Sequence, residues 1–448
     1  MAKNAPQNEP ESPERKLDSV LDRLTSYYPR AIDPGLDRTL RLLADLGNPH
    51  LALPPVFHVA GTNGKGSVVA TLRSVLEAAG QKCHVMTSPH LVRFNERLVV
   101  AGQEISTTDL VSLLEEVEDV NAGKPTTSFE LITAAGFLAF ARTKADFTLL
   151  ETGMGGRLDA TNVIPNPLAT TITVISHDHM QFLGTELSAI AGEKAGIMKP
   201  GCPCVIAPQT VEAQQNGVLE VFRDKAKELG CPLYEYGRDW NIEPKGDGFL
   251  LQQKNGANIA LPRPNLLGAH QVRNAATAVM TLLAAQNRLP GNALEHETLV
   301  HGVQHIRWPG RLQRLLRGPL PNLLPAGWEL WCDGGHNDTG GEVLGEQAKV
   351  WKQEDGKPLH LVLGMLTTKD PRAFLAPLTP HAASLHAVAI PGNAQCFTAS
   401  DLAQIAAAVP SPSATTAIQD IVQQNQTIGR ILITGSLYLT GYILSENS

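Results

Sequence analysis

Short apolar segments recur along this chain, each followed by a stretch with helical spacing. PPVFHVAG, KCHVMTS, ADFTLLETG, LATTITVISHD and CPCVIAP read as buried strands. Helices are expected between them, from SVVATLRSVLEAAG (closed by Gly80), at 108–120 and 129–143, and from ELSAIAGEKAG. Strands that alternate with helices build parallel βαβ units with both sheet faces covered. Residues 232–262 break this rhythm. Their Gly-Asp-Gly and Asn-Gly turns lie between alternating segments, so antiparallel hairpins are expected there. A helix over 270–287 follows, with Val272, Ala276, Val279 and Leu283 on one face. A second strand–helix series starts near 305, with WELWCDGG, HLVLGM, SLHAVAI and RILITGS as its strands.

Two helices precede the first strand. Leu17, Val20, Leu21 and Leu24 share one face, and Leu36, Leu40 and Leu43 repeat the spacing. Asp33 suits the N-cap of the second helix, with Pro34 at its first position. Residues 1–16 are polar and read as a disordered tail rather than a signal peptide. No run of about 18 apolar residues occurs, so no membrane span is expected. The net charge of −7 argues against a protein that coats nucleic acid. The six cysteines are scattered, and Cys202-Pro-Cys204 fits neither redox nor zinc spacing, so buried thiols in a reducing cytoplasm are expected.

The sharpest chemical signal is Gly61-Thr62-Asn63-Gly64-Lys65-Gly66-Ser67, between the first strand and its helix. Glycines let backbone N–H groups converge on an anion, and the helix start presents its positive end to the same point. Lys65 can neutralise phosphate, and the Ser67 hydroxyl can support a metal–phosphate cluster. The spacing departs from GxxxxGK[ST], because Gly66 separates lysine from hydroxyl. A plain glycine turn explains the glycines but not the lysine and hydroxyl after an apolar strand. A triphosphate loop is the reading adopted. The fold class is therefore α/β: a P-loop ATPase-type N-terminal domain with a mostly parallel sheet over 17–302, and a smaller Rossmann-like α/β C-terminal domain over 303–448.

The loop resembles that of the Mur ligase superfamily. TSPHLVRFNER at 87–97, ETGMGGRLDATN at 151–162, DHMQFLG at 178–184 and EKAGIMK at 193–199 narrow the resemblance, with HQVRNAATA, WPGRLQ, DGGHN and GSLYLTG further on. Together they resemble the dihydrofolate synthase/folylpolyglutamate synthase family from about residue 17 onward. The resemblance implies an ATP-dependent amide ligase. It would join L-glutamate to 7,8-dihydropteroate, or to the γ-carboxyl of a reduced folate, through an acyl phosphate. Mg²⁺, as two ions, and ATP are the implied cofactor and co-substrate; a cytoplasmic monomer is expected. A ligase restricted to folate polyglutamylation, a peptidoglycan-type ligase and a non-catalytic nucleotide-binding module are the alternatives.

The same resemblance assigns residues. Lys65, Glu151, His179 and Lys194 are implied as catalytic. Glu151 ends an apolar strand, where a parallel sheet opens its crevice, and its oxygens suit Mg²⁺; capping the next turn is the structural alternative. Ser88 is implied as a Mg²⁺ ligand, and otherwise reads as a turn serine. His179 is implied as a ligand of the second ion. His177 and His179 have a spacing that would place both rings on one strand face, which alone suggests zinc. His177 is expected to be structural and Asp178 to orient its neighbours. Lys194 reads alone as a surface helix residue; the resemblance implies a carbamylated lysine, which requires a neutral amine. Thr127, Ser128, Phe129 and Glu130, with Leu158, Asp159 and Ala160, are implied to line the pterin-acid pocket. Phe129 would stack on the heterocycle or pack in the helix core, and Asp159 would hydrogen-bond the pterin. Asn274, Arg311, Asp333 and His336 are implied to reach ATP from near or beyond the domain boundary; each alone is bland, and a helix cap is the structural alternative for Asp333. Thr368 stands where the family's acid is expected before Lys369 and Asp370.

Overall fold

The structure, a computed structural model, describes residues 12–26 and 35–447. Asp33, Pro34 and residues 1–11 lie outside them. The first helix, Pro13–Ser26, begins inside the stretch expected to be a tail. Ser12 accepts a hydrogen bond from the Arg15 N–H at 3.3 Å, Pro13 takes the first helical position and Glu14 the first turn, so local capping starts the helix early. Its buried residues are Leu17, Val20 and Leu24. The second helix, Asp37–Asp45, buries Thr39, Leu42 and Leu43. Leu40, placed on the buried face by spacing, is 42% exposed. The stripe at i, i+3, i+4 from Thr39 is the one that faces the helix Ser128–Arg142.

Eight strands form the first sheet: β1 (Val56–Ala60), β2 (Cys83–Met86), β3 (Leu98–Val100), β4 (Gln103–Glu104), β5 (Phe147–Glu151), β6 (Ala169–Ile172), β7 (Cys204–Ile206) and β8 (Leu233–Glu235). Their order is β4-β3-β2-β5-β1-β6-β7-β8. Strands β2, β5, β1, β6, β7 and β8 run parallel, and β3 and β4 add an antiparallel edge hairpin. That hairpin turns at Ala101 and Gly102, both at positive φ. Alanine is a poor marker for such a turn, which hid it from the sequence. β8 also corrects the reading of 232–262. Its residues join the main sheet in parallel after the helix Val218–Leu229, and only β9 (Trp240–Lys245), β10 (Gly248–Gln253) and β11 (Asn258–Pro262) form the antiparallel unit.

The second sheet has the order β12-β13-β17-β14-β15-β16. It contains β12 (Gln313–Leu315), β13 (Glu329–Cys332), β14 (Leu359–Leu363), β15 (Ala382–Ala387), β16 (Val409–Pro410) and β17 (Arg430–Thr434). All but β12 are parallel. Buried β-branched and leucine-rich strands sit between helix layers in both sheets, as parallel strands require. The helix His296–Gln304 crosses the expected boundary at 302/303 and packs on the helix Lys65–Ala78, where the Ser74 hydroxyl donates to the Gly302 carbonyl at 2.7 Å. Residues 305–312 then lead into the second sheet. No helix among the described residues is long and apolar enough to cross a membrane.

Candidate active site

Every parallel strand presents its carboxyl end to the same side of its sheet, and an open α/β sheet forms its ligand crevice there. β1 leads directly into Gly61, Ser88 lies two residues beyond β2, β5 ends in Glu151, and the chain beyond β6 carries Asp178 and His179. The loop after β13 brings Asp333 and His336, and that after β14 brings Lys369. The two sheets face each other through these ends. Asn63 Nδ2 donates to Asn337 Oδ1 at 2.9 Å and to Thr339 Oγ1 at 2.6 Å, and the Thr339 hydroxyl lies 2.9 Å from the Ser176 hydroxyl. Lys369 Nζ lies 2.5 Å from Asp178 Oδ1.

Two adjoining clefts open between the sheets. One, of about 550 Å³, is lined by Asn63, Gly64, Ser67, Asn274, Arg311 and Asp333 among others. The other, of about 610 Å³, includes Lys65, Ser88, Glu151, His179, Lys194 and Trp308. His336 and Arg311 line both.

The phosphate loop is held from below. Gly61 has φ +147°, and a Cβ on it would collide with the Thr173 hydroxyl. Thr62 donates its N–H to the Val174 carbonyl at 2.9 Å. Gly64 has φ +88°, and a Cβ there would lie 2.6 Å from Asn274 Oδ1, so Asn274 reaches the loop from the helix Ala269–Ala284. Lys65 starts the helix Lys65–Ala78; its ammonium donates to the Thr62 carbonyl at 3.3 Å and lies 3.8 Å from Glu151.

Glu151 is buried, and burial pushes its carboxyl pKa up against the opposing charge of Lys65. It accepts a hydrogen bond from the Ser88 N–H at 3.3 Å. A buried carboxylate with so few partners, facing a cleft beside a phosphate loop, fits Mg²⁺, which keeps phosphate and water oxygens and needs few protein ligands. Zinc does not fit. A structural zinc site takes four N or S donors, whereas no group of three or more His, Cys, Asp or Glu residues that could hold a metal forms among the described residues. His177 turns instead to Asp338, at 3.6 Å. His179 has left-handed backbone (φ +51°) and lines the cleft 3.9 Å from Asp178. Desolvation by the cleft pushes its pKa down to about 4, with Asp178 opposing.

Lys194 is 4% exposed, not a surface residue. Its amine donates to the Gly61 carbonyl at 2.9 Å. Burial, aided by the charge of Lys65, pushes its pKa down to about 7. A substantial neutral fraction therefore exists near neutrality, the form that carbamylation needs.

Several residues implied to meet ligands spend their hydrogen bonds on the fold. Asp159 accepts from the Met154 N–H at 2.9 Å, the Thr161 N–H at 3.0 Å and the Thr161 hydroxyl at 2.6 Å. It thus locks the 154–161 loop from inside, with Leu158 half-buried and Ala160 buried beside it. Thr127 and Glu130 form a capping box at the start of the helix Ser128–Arg142, and Arg38 also holds Glu130 at 2.9 Å. That cap presents half-buried Ser128 and Phe129, and the Phe129 ring lies against Gly153 at the cleft wall. Asp333 is not a helix cap. It accepts from the Leu312 N–H at 2.8 Å and the Gly335 N–H at 2.7 Å, while Asn337 caps the following helix. His336 Nδ1 donates to the Gly334 carbonyl at 2.9 Å, which leaves Nε2 facing Asp178 at 3.7 Å. Thr368 is exposed, and Asp370 caps the helix Pro371–Leu375.

Sequence reasoning passed over Trp308, Ser176, Asn337 and Thr339. WPGRLQ and DGGHN signalled two of them, but only a three-dimensional arrangement pairs residues so far apart in the chain.

Comparison with known proteins agrees with this geometry. The family model of the Mur ligase middle domain matches residues 59–282. A Bacillus subtilis dihydrofolate synthase/folylpolyglutamate synthase is 36% identical over 424 residues, 91% of this chain and 93% of that protein. The Lacticaseibacillus casei folylpolyglutamate synthase is 31% identical, over 93% of this chain and 95% of its own. Among solved structures, Escherichia coli FolC in complex with DHPP and ADP superposes with a TM-score of 0.83 at 29% identity, covering 96% of this chain and 97% of that one. A bifunctional folylpolyglutamate synthase/dihydrofolate synthase complexed with AMPPNP and Mn ion, from Yersinia pestis, gives a TM-score of 0.83 at 29% identity over 98% and 99%. This chain belongs to the dihydrofolate synthase/folylpolyglutamate synthase family of the Mur ligase superfamily.

Proposed function

We propose that this chain ligates L-glutamate to 7,8-dihydropteroate, forming dihydrofolate, and then extends folates through the γ-carboxyl group, using ATP for each bond. The observation that carries the reading is the convergence of Lys65, Glu151 and Lys194 under one phosphate loop, in a cleft that a second sheet covers.

The chemistry follows from the charges. A carboxylate resists an amine because it is anionic and lacks a leaving group. Its oxygen displaces ADP from the γ-phosphorus of ATP, giving an acyl phosphate; the amine of glutamate then attacks the carbonyl carbon, and orthophosphate leaves. Catalysis is alignment of anions and compensation of their charge. The loop Gly61, Thr62, Asn63, Gly64, Lys65, Gly66 and Ser67 holds the triphosphate, with Asn274, Arg311, Asp333 and His336 on the nucleotide from the cleft's other walls. Ser88, Glu151 and His179 would hold Mg²⁺, which would supply charge neutralisation at the phosphates. Lys194, as a carbamate, adds an anion beneath the loop. Phe129, presented by the cap of Thr127, Ser128 and Glu130, stacks on the heterocycle of the acid. The loop carrying Leu158, Asp159 and Ala160 shapes the same pocket. Water is excluded by the second sheet, which covers the cleft. The relatives bound to DHPP, ADP, AMPPNP and L-glutamate support this assignment of ligands. The same reading takes the chain to act as a cytoplasmic monomer.

The test is to incubate the protein with Mg-ATP, L-glutamate and dihydropteroate, and to identify products by mass. Dihydrofolate is expected. Ligation of glutamate to tetrahydrofolate alone would restrict the chain to polyglutamylation, and ATP binding without any new amide would reduce it to a nucleotide-binding module.

A further inference from the structure

Gly66 is the residue that departs from strict phosphate-loop spacing, and its reason lies outside the loop. A Cβ at Gly66 would come within 3.1 Å of three atoms of the Trp308 indole. The first turn of the helix and the indole are in a contact that only glycine permits. Trp308 belongs to the segment 305–312 between the two sheets, and the far end of that segment is pinned in the second. The Leu312 N–H donates to the buried Asp333 carboxylate at 2.8 Å, and the Gly334 N–H donates to the Gly310 carbonyl at 3.2 Å. Gly310 and Leu312 both take positive φ, at +72° and +40°. Left-handed backbone at a leucine persists only where surrounding contacts over-determine it. Arg311 lies between the two pins. Its own hydrogen bond is local, from the guanidinium to the Gly310 carbonyl at 3.1 Å, and the residue lines both clefts.

We propose that Trp308 is a positioning residue for Arg311: the indole, seated on Gly66, fixes the height of the 308–312 strap above the phosphate loop and so delivers the guanidinium to the nucleotide phosphates. This rests on residues 61–67 being a nucleotide loop, and not on which acid is ligated. It explains the extra glycine and the strained Leu312 together. The loop must be bare where the indole sits, and the strap must be rigid where the arginine leaves it.

The experiment is calorimetric titration of the full chain with Mg²⁺ and AMPPNP, without acid or glutamate, in wild type, W308A, W308F, R311A and the double variant W308A/R311A. W308A is expected to weaken binding roughly tenfold, and W308F, which keeps a ring on Gly66, by less than about threefold. In the R311A background W308A is expected to change affinity by less than about twofold, because residues acting through one another are not additive. Thermal unfolding accompanies each titration; if W308A is not folded, W308L replaces it in both backgrounds with the same expectation. Undiminished binding in W308A, an equal loss with and without Arg311, or W308F behaving as W308A would each overturn the proposal. A wild-type chain that does not bind AMPPNP would overturn the nucleotide loop and this proposal with it. The titration contains no acid, so the ligation assay can fail independently.

Discussion

Lys369 of the second sheet lies 2.5 Å from Asp178 of the first, with the two side chains only 15% and 12% exposed. His336 and His179 flank the same carboxylate at 3.7 and 3.9 Å. Burial would raise the Asp178 pKa, but the approach of His336 and the charges of Lys369 and His179 prevail and hold it well below the usual carboxylate range. The pair ties a loop of one sheet to a loop of the other directly beside His179. Removing one partner of a buried pair strands the other charge, at a cost of about 3 kcal/mol. K369M should therefore loosen the two sheets, seen as faster limited proteolysis within 305–312, and lower glutamate-dependent phosphate release roughly tenfold or more. Wild-type turnover and protease resistance in K369M would remove this pair from the closure.

Lys65 donates one long hydrogen bond, to the Thr62 carbonyl at 3.3 Å, and otherwise faces Glu151. Its ammonium carries charge into the cleft beside Glu151. K65A should abolish ligation, by roughly a thousandfold or more, in a chain that still folds. Unaltered turnover in folded K65A would refute the role.

Glu151 makes the opposite case, a carboxylate whose charged form burial disfavours. E151Q keeps the Ser88 N–H contact and removes the anion. Mg²⁺-dependent activity should be lost, and a titration of metal against activity should no longer saturate. A wild-type titration curve would move the ion elsewhere.

These roles were not equally legible in the sequence. The placement of the glycine loop after β1 and of Glu151 at the end of β5 could be read because local pattern determines it: an apolar strand, then glycines and lysine, or an apolar strand that ends in an acid. Direction was not legible. Asp159 and Asp333 are acids in motif loops, yet both turn inward to backbone N–H groups, and a carboxylate's orientation depends on which unpaired amides lie nearby. The Asp178–Lys369 pair spans 191 residues and leaves no local trace. Leu40 was misplaced because spacing defines a stripe, while the neighbouring helix decides which of two stripes is buried.

His58, in the middle of β1, shows how the loop's foundation responds to acid. Its Nε2 lies 2.9 Å from the Thr161 hydroxyl, which itself donates to Asp159; Nε2 therefore carries the proton. Nδ1 is buried without a partner. Burial, with the charge of Lys199, pushes the pKa from 6.5 down to about 3. The unfolded chain binds the proton first as pH falls, so stability is full above pH 6.5 and declines between 6.5 and about 3. The loss from this one group should reach about 2 kcal/mol at pH 5. H58Q should flatten that part of the profile in urea titrations at successive pH values. An unchanged slope would assign the acid sensitivity to other groups.

Lys194 titrates on the alkaline side. Its folded pKa, about 7, lies below the ordinary 10.5 because the amine is buried and Lys65 is near. The unfolded chain is protonated throughout that window while the folded chain is not, so stability should rise from about pH 7 to 10.5, by about 5 kcal/mol in carbon-dioxide-free buffer. K194M should abolish the rise. The same neutral amine, which now donates to the Gly61 carbonyl, can attack CO₂, forming an N–C bond at the expense of a C–O π bond and releasing a proton. Protein equilibrated with ¹³C-bicarbonate near neutral pH should show one slowly exchanging carbamate resonance, absent in K194R, and its intensity should track ligase activity as bicarbonate is withdrawn. Full activity with no labelled carbon bound would leave Lys194 as a plain amine under the loop, and its buried charge would then oppose, rather than assist, the metal beside Glu151.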